Sequence, residues 1–133
     1  MATLRPTGPP GAGTRRPDRR ALGAAGERAV AERYERDGYG VLDRNWRRRE
    51  GELDLVVERD RVLVFCEVKT RTSDRFGAPV EAITREKRQR VRLLAAKWLE
   101  ERRIVVREVR FDVASVVPGS AGQAVVEILE GAF

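Results

Sequence analysis

Two acidic residues and a lysine lie at a spacing that suits metal-dependent chemistry. Asp54 is followed thirteen residues later by Glu67-Val68-Lys69. Side chains two positions apart in a strand point to the same face, so Glu67 and Lys69 are expected to emerge together. Paired carboxylates offer the hard oxygen ligands that Mg²⁺ or Mn²⁺ prefers. A neighbouring ammonium group could then orient or deprotonate a metal-bound water, or stabilise the charge that builds on a phosphate.

A β-hairpin is expected to position these residues. The segments Gly51–Glu58 and Arg61–Lys69 are rich in β-branched and apolar residues, and Arg59-Asp60 separates them. An oxygen-rich metal site forms only if the register of the hairpin places Asp54 beside Glu67. Strict alternation assigns one face of the first segment to Asp54 with Glu52 and Val56, and the other face to Leu53, Leu55 and Val57.

Two predicted helices contribute further charged candidates. Apolar residues recur at spacings of three to five from about Ala21, and Gly38 is expected to end this first helix. Glu27 lies beside its apolar stripe, so it is either a third carboxylate of the site or a border residue. The second helix, expected over Val80–Arg103, places Lys87 in the middle of its apolar stripe. Lys87 therefore either has an acidic partner or extends past the core to solvent.

The order of the predicted elements gives the fold class. A helix, three strands, a second helix and two strands predict an α/β fold with a central mixed β-sheet flanked by helices. Residues 1–20 hold four of the six prolines and five arginines, so we expect a disordered basic tail, with one domain over residues 21–133. The segments not yet named are a strand at 39–46, a charged loop at Arg47–Arg49, a loop at 70–79 and strands near 105–117 and 124–130.

Composition excludes several classes of catalytic site and indicates a cellular location. The chain has no histidine and one cysteine, which excludes Ser-His-Asp and Cys-His catalysis and the usual zinc ligand sets. No apolar run approaches the ~18 residues that span a bilayer, so we expect no membrane contact and a cytoplasmic location. Five arginines and one aspartate give residues 1–20 a charge of +4, leaving +2 of the total +6 for the rest. The placement of basic residues is therefore more informative than the net charge.

Each candidate also has an ordinary structural interpretation. Glu67 and Lys69 could form an ion pair at a strand end, with Asp54 as a surface acid near a turn. Asp112 lies two residues after Arg110 in a predicted strand, so the two share a face and we interpret them as a structural pair. Spacing alone does not separate these interpretations from a metal site.

The same residues resemble a known signature. Asp54 followed by Glu67-Val68-Lys69 resembles the signature of the restriction-endonuclease-like nuclease superfamily, and with Glu27 upstream it is similar to archaeal Holliday-junction resolvases. A longer ordered set of motifs resembles the YraN-like family of bacterial proteins over about residues 21–129. That set comprises Gly26-Glu27, Asn45-Trp46-Arg47, Gly51–Leu55, Val64–Arg71, Gly77–Ala82 and Arg110–Val113.

This resemblance implies a restriction-endonuclease-like core and a metal-dependent endonuclease. The implied reaction is hydrolysis of phosphodiester bonds in nucleic acid, with branched or processed DNA as the substrate. Asp54 and Glu67 would be the catalytic metal ligands for Mg²⁺ or Mn²⁺. Glu27 would contribute directly or through water, and Lys69 would serve the attacking water. A homodimer is implied as well, because junction resolvases act as dimers to make paired cuts.

Basic and aromatic residues around these acids are candidates for contacts with a nucleic acid. Trp46 and Phe76 offer surface on which a base could stack, although a tryptophan such as Trp46 is more often a core anchor. The main alternative function is a non-catalytic nucleic-acid-binding module on the same fold, and a protein-interaction scaffold comes third. The candidates for phosphate contacts are Arg47, Arg71, Arg75, Lys87 and Arg88.

Overall fold

The computed structural model describes residues 19–71 and 83–133, with side chains from residue 21 onward. Most of the predicted basic tail (residues 1–18) and of the predicted loop after residue 70 lies outside the described residues. Within the described ranges the elements are α1 (Arg19–Arg36), β1 (Gly40–Arg48), β2 (Gly51–Arg59), β3 (Val62–Thr70), α2 (Arg85–Arg102), β4 (Glu108–Pro118) and β5 (Ala124–Leu129).

The strands form one five-stranded mixed sheet in the order β1-β2-β3-β4-β5. The pairs β1–β2, β2–β3 and β4–β5 are antiparallel, and β3–β4 is parallel. Because parallel neighbours need a crossover connection, α2 lies between β3 and β4 in the chain. The predicted α/β class with a mixed sheet flanked by helices is confirmed.

Two apolar layers hold the helices against the sheet. The α1 layer packs that helix on one face and comprises Val30, Ala31, Tyr34, Tyr39, Leu55, Val57, Val64, Cys66, Ala114 and Val116. The α2 layer packs the other helix on the opposite face and comprises Trp46, Leu53, Val56, Leu63, Phe65, Val91, Leu94, Ala95 and Trp98. β3 contributes alternate residues to both layers, which explains its nearly continuous apolar sequence.

A two-residue turn fixes the register of the β2–β3 hairpin. Asp60 and Arg61 have φ values of 52° and 62°, the left-handed backbone that a type I′ hairpin turn requires at both central positions. Arg59 pairs with Val62 directly before and after this turn. The hairpin is therefore as predicted, with its turn one residue later than the expected Arg59-Asp60 separator.

Two predicted boundaries are wrong. β1 extends through Arg48, because Arg47 pairs with Glu52 and Arg48 with Gly51, so only Arg49 of the expected charged loop lies outside a strand. The second helix begins at Arg85 rather than at residue 80, since the Thr84 hydroxyl caps it by accepting a hydrogen bond from the residue 87 backbone at 3.1 Å. Neither described helix is long and apolar enough to cross a membrane.

Candidate metal centre

The β2 and β3 strands separate at the level of Asp54. Their backbone pairing reaches Leu55 and Cys66, and the same register sets Asp54 opposite Glu67. At this point the Asp54 Oδ2 atom accepts a hydrogen bond from the Val68 backbone N–H at 2.9 Å. A side-chain carboxylate thus takes the place of a main-chain acceptor, which holds it between the two strands. The register condition for an acidic site at this position is met.

β2 departs from strict alternation around this acid. Leu53 and Val56 pack in the α2 layer, whereas Leu55 and Val57 pack in the α1 layer. The prediction that Leu53 shares a face with Leu55 and Val57 is therefore wrong. Asp54 lies at the position where β2 departs from alternation, and its carboxylate accepts a hydrogen bond from the backbone of β3.

Glu67 is a buried acid with one unsatisfied oxygen. Only 2% of the residue is exposed, and Leu63 and Phe65, which precede it on the same face of β3, belong to the α2 layer. The Lys87 Nζ atom of α2 lies 3.4 Å from Glu67 Oε1. Glu67 Oε2 is buried and has no hydrogen-bond partner among the described residues. Such an oxygen is costly to bury unless a donor or a cation approaches it.

Burial raises the pKa of both carboxyl groups. Desolvation raises the pKa of Glu67 to about 8, and the charge of Asp54 adds to the rise while Lys87 opposes it. Desolvation also raises the pKa of Asp54 to about 6, against the lowering effect of the Val68 hydrogen bond and with a further rise from Glu27. A cation between the two acids would favour their ionised forms instead.

The donor set fits a hard divalent cation. Mg²⁺ typically keeps several waters and is held by one or two carboxylates together with substrate phosphates. Asp54 and Glu67 supply two carboxylates, and the buried Glu67 Oε2 atom has no hydrogen-bond donor among the described residues. Within residues 19–71 and 83–133 there is no cluster of three Cys, His, Asp or Glu side chains that could hold a metal ion. Glu27 is therefore not brought into a three-acid group with this pair.

Lys69 is an exposed residue of β3, two positions after Glu67. It lies on the same face of β3 as Glu67, and it pairs in register with the buried Ser115 of β4. The ordinary interpretation of a Glu67–Lys69 ion pair is wrong, because Lys87 is the cation beside Glu67. The prediction that Lys87 has an acidic partner is confirmed.

A cleft of about 140 Å³ opens beside Asp54 between α1 and the sheet. Glu27 lies in it, and its Oε1 atom accepts a hydrogen bond from Asn45 Nδ2 at 2.9 Å. Asn45 has a left-handed φ of 48° within β1. The only sign of this in the sequence is the residue type, since asparagine tolerates that conformation better than most. The lining residues are Ala24, Glu27, Arg28, Arg44, Asn45, Asp54 and Leu55, of which Arg28 and Arg44 were not among the predicted site residues.

The predicted aromatic contact on β1 is a core residue instead. Trp46 is 8% exposed and belongs to the α2 layer, and the guanidinium of Arg48 stacks 4.1 Å from its ring centroid. The core-anchor interpretation of Trp46 is confirmed. Arg47 is directed to solvent, with 76% of its side chain exposed and its Nη2 atom 3.5 Å from Glu52 Oε2.

The other predicted phosphate contacts occupy different surroundings. Lys87 lies at the acidic pair, and the adjacent Arg88 is half-buried with an Nε atom that has no hydrogen-bond partner in the described part of the chain. Arg71 follows β3 and donates its backbone N–H to the carbonyl of Val116 at 2.7 Å. Arg75 lies outside the described residues, as does Phe76.

Asp112 belongs to a separate structural network. Its carboxylate accepts hydrogen bonds from Arg110 Nε at 2.9 Å, from the Tyr34 hydroxyl at 2.7 Å and from the Gly131 backbone N–H at 3.0 Å. Burial, with the nearby charges of Cys66 and Asp112, raises the pKa of Tyr34 well above its ordinary value. The interpretation of Asp112 and Arg110 as a structural pair is confirmed, and both Asp112 carboxylate oxygens have hydrogen-bond donors within the fold.

Comparison with known proteins identifies close relatives in sequence. The model of "Uncharacterised protein family UPF0102" matches residues 26–116. A UPF0102 protein of Beutenbergia cavernae is 52% identical over 111 residues, which cover 84% of this chain and 94% of that protein. A UPF0102 protein of Frankia casuarinae is 50% identical over 113 residues, which cover 85% and 96% of the two chains.

Among solved structures, this chain is similar to "The structure of Pyrococcus Furiosus SfsA in complex with Ca2+". The identity is 14% and the TM-score is 0.38. The match covers 83% of this chain and 63% of the SfsA chain, less than two thirds of its length. At this TM-score the similarity supports no conclusion on fold or function.

Proposed function

The chain belongs to the protein family UPF0102, and we propose that it is a metal-dependent nuclease with a restriction-endonuclease-like core. Its reaction is the hydrolysis of phosphodiester bonds in nucleic acid. The observation that carries this proposal is the buried Glu67, whose Oε2 atom lacks a hydrogen-bond partner in the described ranges, opposite Asp54 at the opening of the hairpin. Asp112, the buried acid of β4, is by contrast paired on both oxygens.

Asp54 and Glu67 are the proposed ligands of Mg²⁺ or Mn²⁺. When bound, this ion would neutralise charge on the scissile phosphate and make a coordinated water more acidic. Lys87 supplies the positive charge beside Glu67 at 3.4 Å, and 42% of its side chain is exposed. Its ammonium therefore has room to turn from the carboxylate toward an incoming phosphate.

Lys69 is the proposed partner of the attacking water. It is solvent-exposed and lies two residues after Glu67 on β3, and the proposal requires a water that contacts both its ammonium group and the acidic pair. Glu27, in the cleft on the other side of Asp54, contributes through water, because Asn45 already holds one of its oxygens.

The proposed substrate is DNA, branched or processed, held by its phosphates. Arg47, Arg71, Arg75 and Arg88 are the proposed phosphate contacts from the sequence, and contacts of this kind read the backbone without reading the bases. Two active sites on one junction would make paired cuts, so we propose a homodimer. Sedimentation equilibrium of the full chain measures this directly.

Cleavage assays test the catalytic proposal. The purified chain with Mg²⁺ or Mn²⁺ is incubated with fluorescent single-stranded, duplex, flapped and four-way-junction DNA. We expect Asp54→Asn, Glu67→Gln and Lys69→Ala each to lower the cleavage rate by about 100-fold or more, because the first two remove an anionic ligand of the ion and the third removes the ammonium group that serves the attacking water.

Asp60→Asn is the matched control, since Asp60 is an exposed acid in the hairpin turn and asparagine keeps its left-handed backbone. This variant should cut at the wild-type rate. Absence of cleavage on every substrate, or full activity in Lys69→Ala, would contradict the proposal.

One observation favours a non-catalytic nucleic-acid-binding module as the second candidate. Lys87 already supplies a positive charge at Glu67, so a lysine could replace the metal permanently. A protein of that kind would retard oligonucleotides on a gel at low salt, yet it would neither bind Mn²⁺ in calorimetry nor cut DNA.

A further inference from the structure

The cleft beside Asp54 is lined by two arginines that have no role in the proposed function. Arg28 projects from α1 and Arg44 from β1, and both line the 140 Å³ space. Within the described residues, neither guanidinium has a hydrogen-bond or ion-pair partner. Most other arginines near this end of the sheet are engaged, as Arg48 is with Glu101 at 2.6 Å. Two exposed arginines that line one concave space and have no partner among the described residues can bind an anion there.

The two acidic groups of the cleft accept hydrogen bonds from groups other than the arginines. Glu27 is held by the Asn45 amide at 2.9 Å. Asp54 accepts a hydrogen bond from the Val68 N–H at 2.9 Å. The hydrogen bond between Glu27 and Asn45 ties α1 to β1 across the cleft, so it also fixes the distance between the helix and the strand that carry the arginines.

The size and chemistry of the cleft suit a phosphate group. Its volume corresponds to about four or five waters at ~30 Å³ each, enough for one phosphate and its remaining solvent. Guanidinium forks match phosphate oxygens in bidentate geometry. The phosphates of a nucleic-acid strand repeat along its backbone, so the neighbour of a phosphate at Asp54 and Glu67 must lie within one nucleotide of the acidic pair.

We infer that Arg28 and Arg44 bind the phosphate next to the scissile one in a nucleic-acid strand, so that the cleft on the α1 side sets the path of the strand across the acidic pair. This inference rests on the proposed function, because it places the scissile phosphate at Asp54 and Glu67. The two arginines position the strand and do not contact the reacting atoms.

The test measures binding without cleavage. Fluorescence anisotropy of a labelled single strand and of the same sequence as a duplex is recorded in EDTA at about 50 and about 200 mM salt. We expect Arg28→Gln and Arg44→Gln each to weaken binding about tenfold at the lower salt. Each variant should also reduce the slope of log K against log salt by about one.

Arg36→Gln is the matched control, since Arg36 is an exposed arginine at the other end of α1 and its loss changes the net charge equally. It should weaken binding by about twofold or less. Equal losses in all three variants would show a diffuse charge effect and overturn the inference, as would unchanged binding in Arg28→Gln and Arg44→Gln.

A competition arm separates a strand from a free phosphate compound. A nucleoside monophosphate at matched ionic strength should displace the strand only weakly. Displacement as strong as that by an unlabelled strand, and dependent on the two arginines, would mean a pocket for a free phosphate and would overturn the inference.

The outcomes for the two proposals are separable. If the Arg28→Gln and Arg44→Gln variants cleave DNA and bind it as tightly as the wild type, this inference is wrong and the nuclease proposal stands. If the wild-type chain cuts no substrate but its binding to nucleic acid depends on the two arginines, the nuclease proposal is wrong and the phosphate site stands.

Discussion

Glu67 is the residue whose environment conflicts most with its chemistry. Its carboxyl group is almost fully buried against the α2 layer, has one cation at 3.4 Å and leaves one oxygen without a partner in the described part of the chain. Asp112, equally buried, accepts four hydrogen bonds from three residues. The two acids therefore differ in whether the described residues supply donors to both carboxylate oxygens.

The raised pKa of Glu67 makes the stability of the metal-free protein depend on pH. Because the folded pKa of about 8 lies above the ordinary 4.5, the folded state binds the proton more tightly than the unfolded state, and stability falls as pH rises through this window. Glu67→Gln removes that loss. Its free energy of unfolding relative to wild type should increase by on the order of 2–4 kcal/mol between pH about 5 and about 8.

Urea unfolding in EDTA at the two pH values measures this change. Glu127→Gln, which neutralises an exposed acid on β5, should show no comparable difference. The same advantage of Glu67→Gln at both pH values would mean that the Glu67 carboxyl is already ionised at pH 5.

At the scale of elements, the close approach of α1 to β3 decides the shape of the site. Gly26 is buried, and a Cβ atom there would collide with the Thr70 side chain at the end of β3. The absence of a side chain lets the helix lie next to the strand that carries Glu67 and Lys69, and it brings Glu27 to the cleft beside Asp54.

A pair of glycine variants tests this packing. Gly26→Ala should lower the free energy of unfolding by about 1–3 kcal/mol, because the added methyl group forces α1 away from β3. Gly23→Ala, one turn earlier on α1 with nothing within 4 Å of its Cβ position, should raise stability by about 0.5–1 kcal/mol through helix propensity. Chemical denaturation measures both, and destabilisation of equal size in the two variants would contradict the packing argument.

At the scale of the whole molecule, the proposed metal site predicts a linkage between metal and stability. A ligand that binds only the folded chain stabilises it by about 2.7 kcal/mol at roughly 100 times its dissociation constant, which raises the melting temperature by several degrees. Mn²⁺ should have this effect on the wild-type chain. It should have little effect on Asp54→Asn/Glu67→Gln, in which neither side chain is an anionic ligand.

Thermal unfolding followed by circular dichroism, with and without Mn²⁺, measures the shift. An equal shift in the wild type and the double variant would place metal binding elsewhere on the chain. Asp60→Asn serves again as the matched variant and should keep the full shift.

Local sequence patterns determined the elements and the family. The apolar periodicities predicted both helices and all five strands, because they depend on near neighbours in the chain. The ordered motifs from residue 26 to residue 113 predicted the YraN-like family, which is the UPF0102 family to which the chain belongs. The meeting of Asp54 with Glu67 depends on the exact position of the turn. The observed Asp60-Arg61 turn sets Asp54 opposite Glu67, whereas the predicted Arg59-Asp60 turn would set it opposite Phe65.

Tertiary packing decided the rest, since it joins residues that are distant in the chain. Lys87 reaches Glu67 only because α2 crosses the sheet face on which Glu67 lies. Arg28 and Arg44 share a cleft only because α1 packs beside β1. The departure of β2 from strict alternation at Asp54 was not predicted, because a periodicity argument assumes a regular strand. Here the Asp54 carboxylate replaces a main-chain acceptor. The sequence thus determined which groups were available, and packing determined which of them meet.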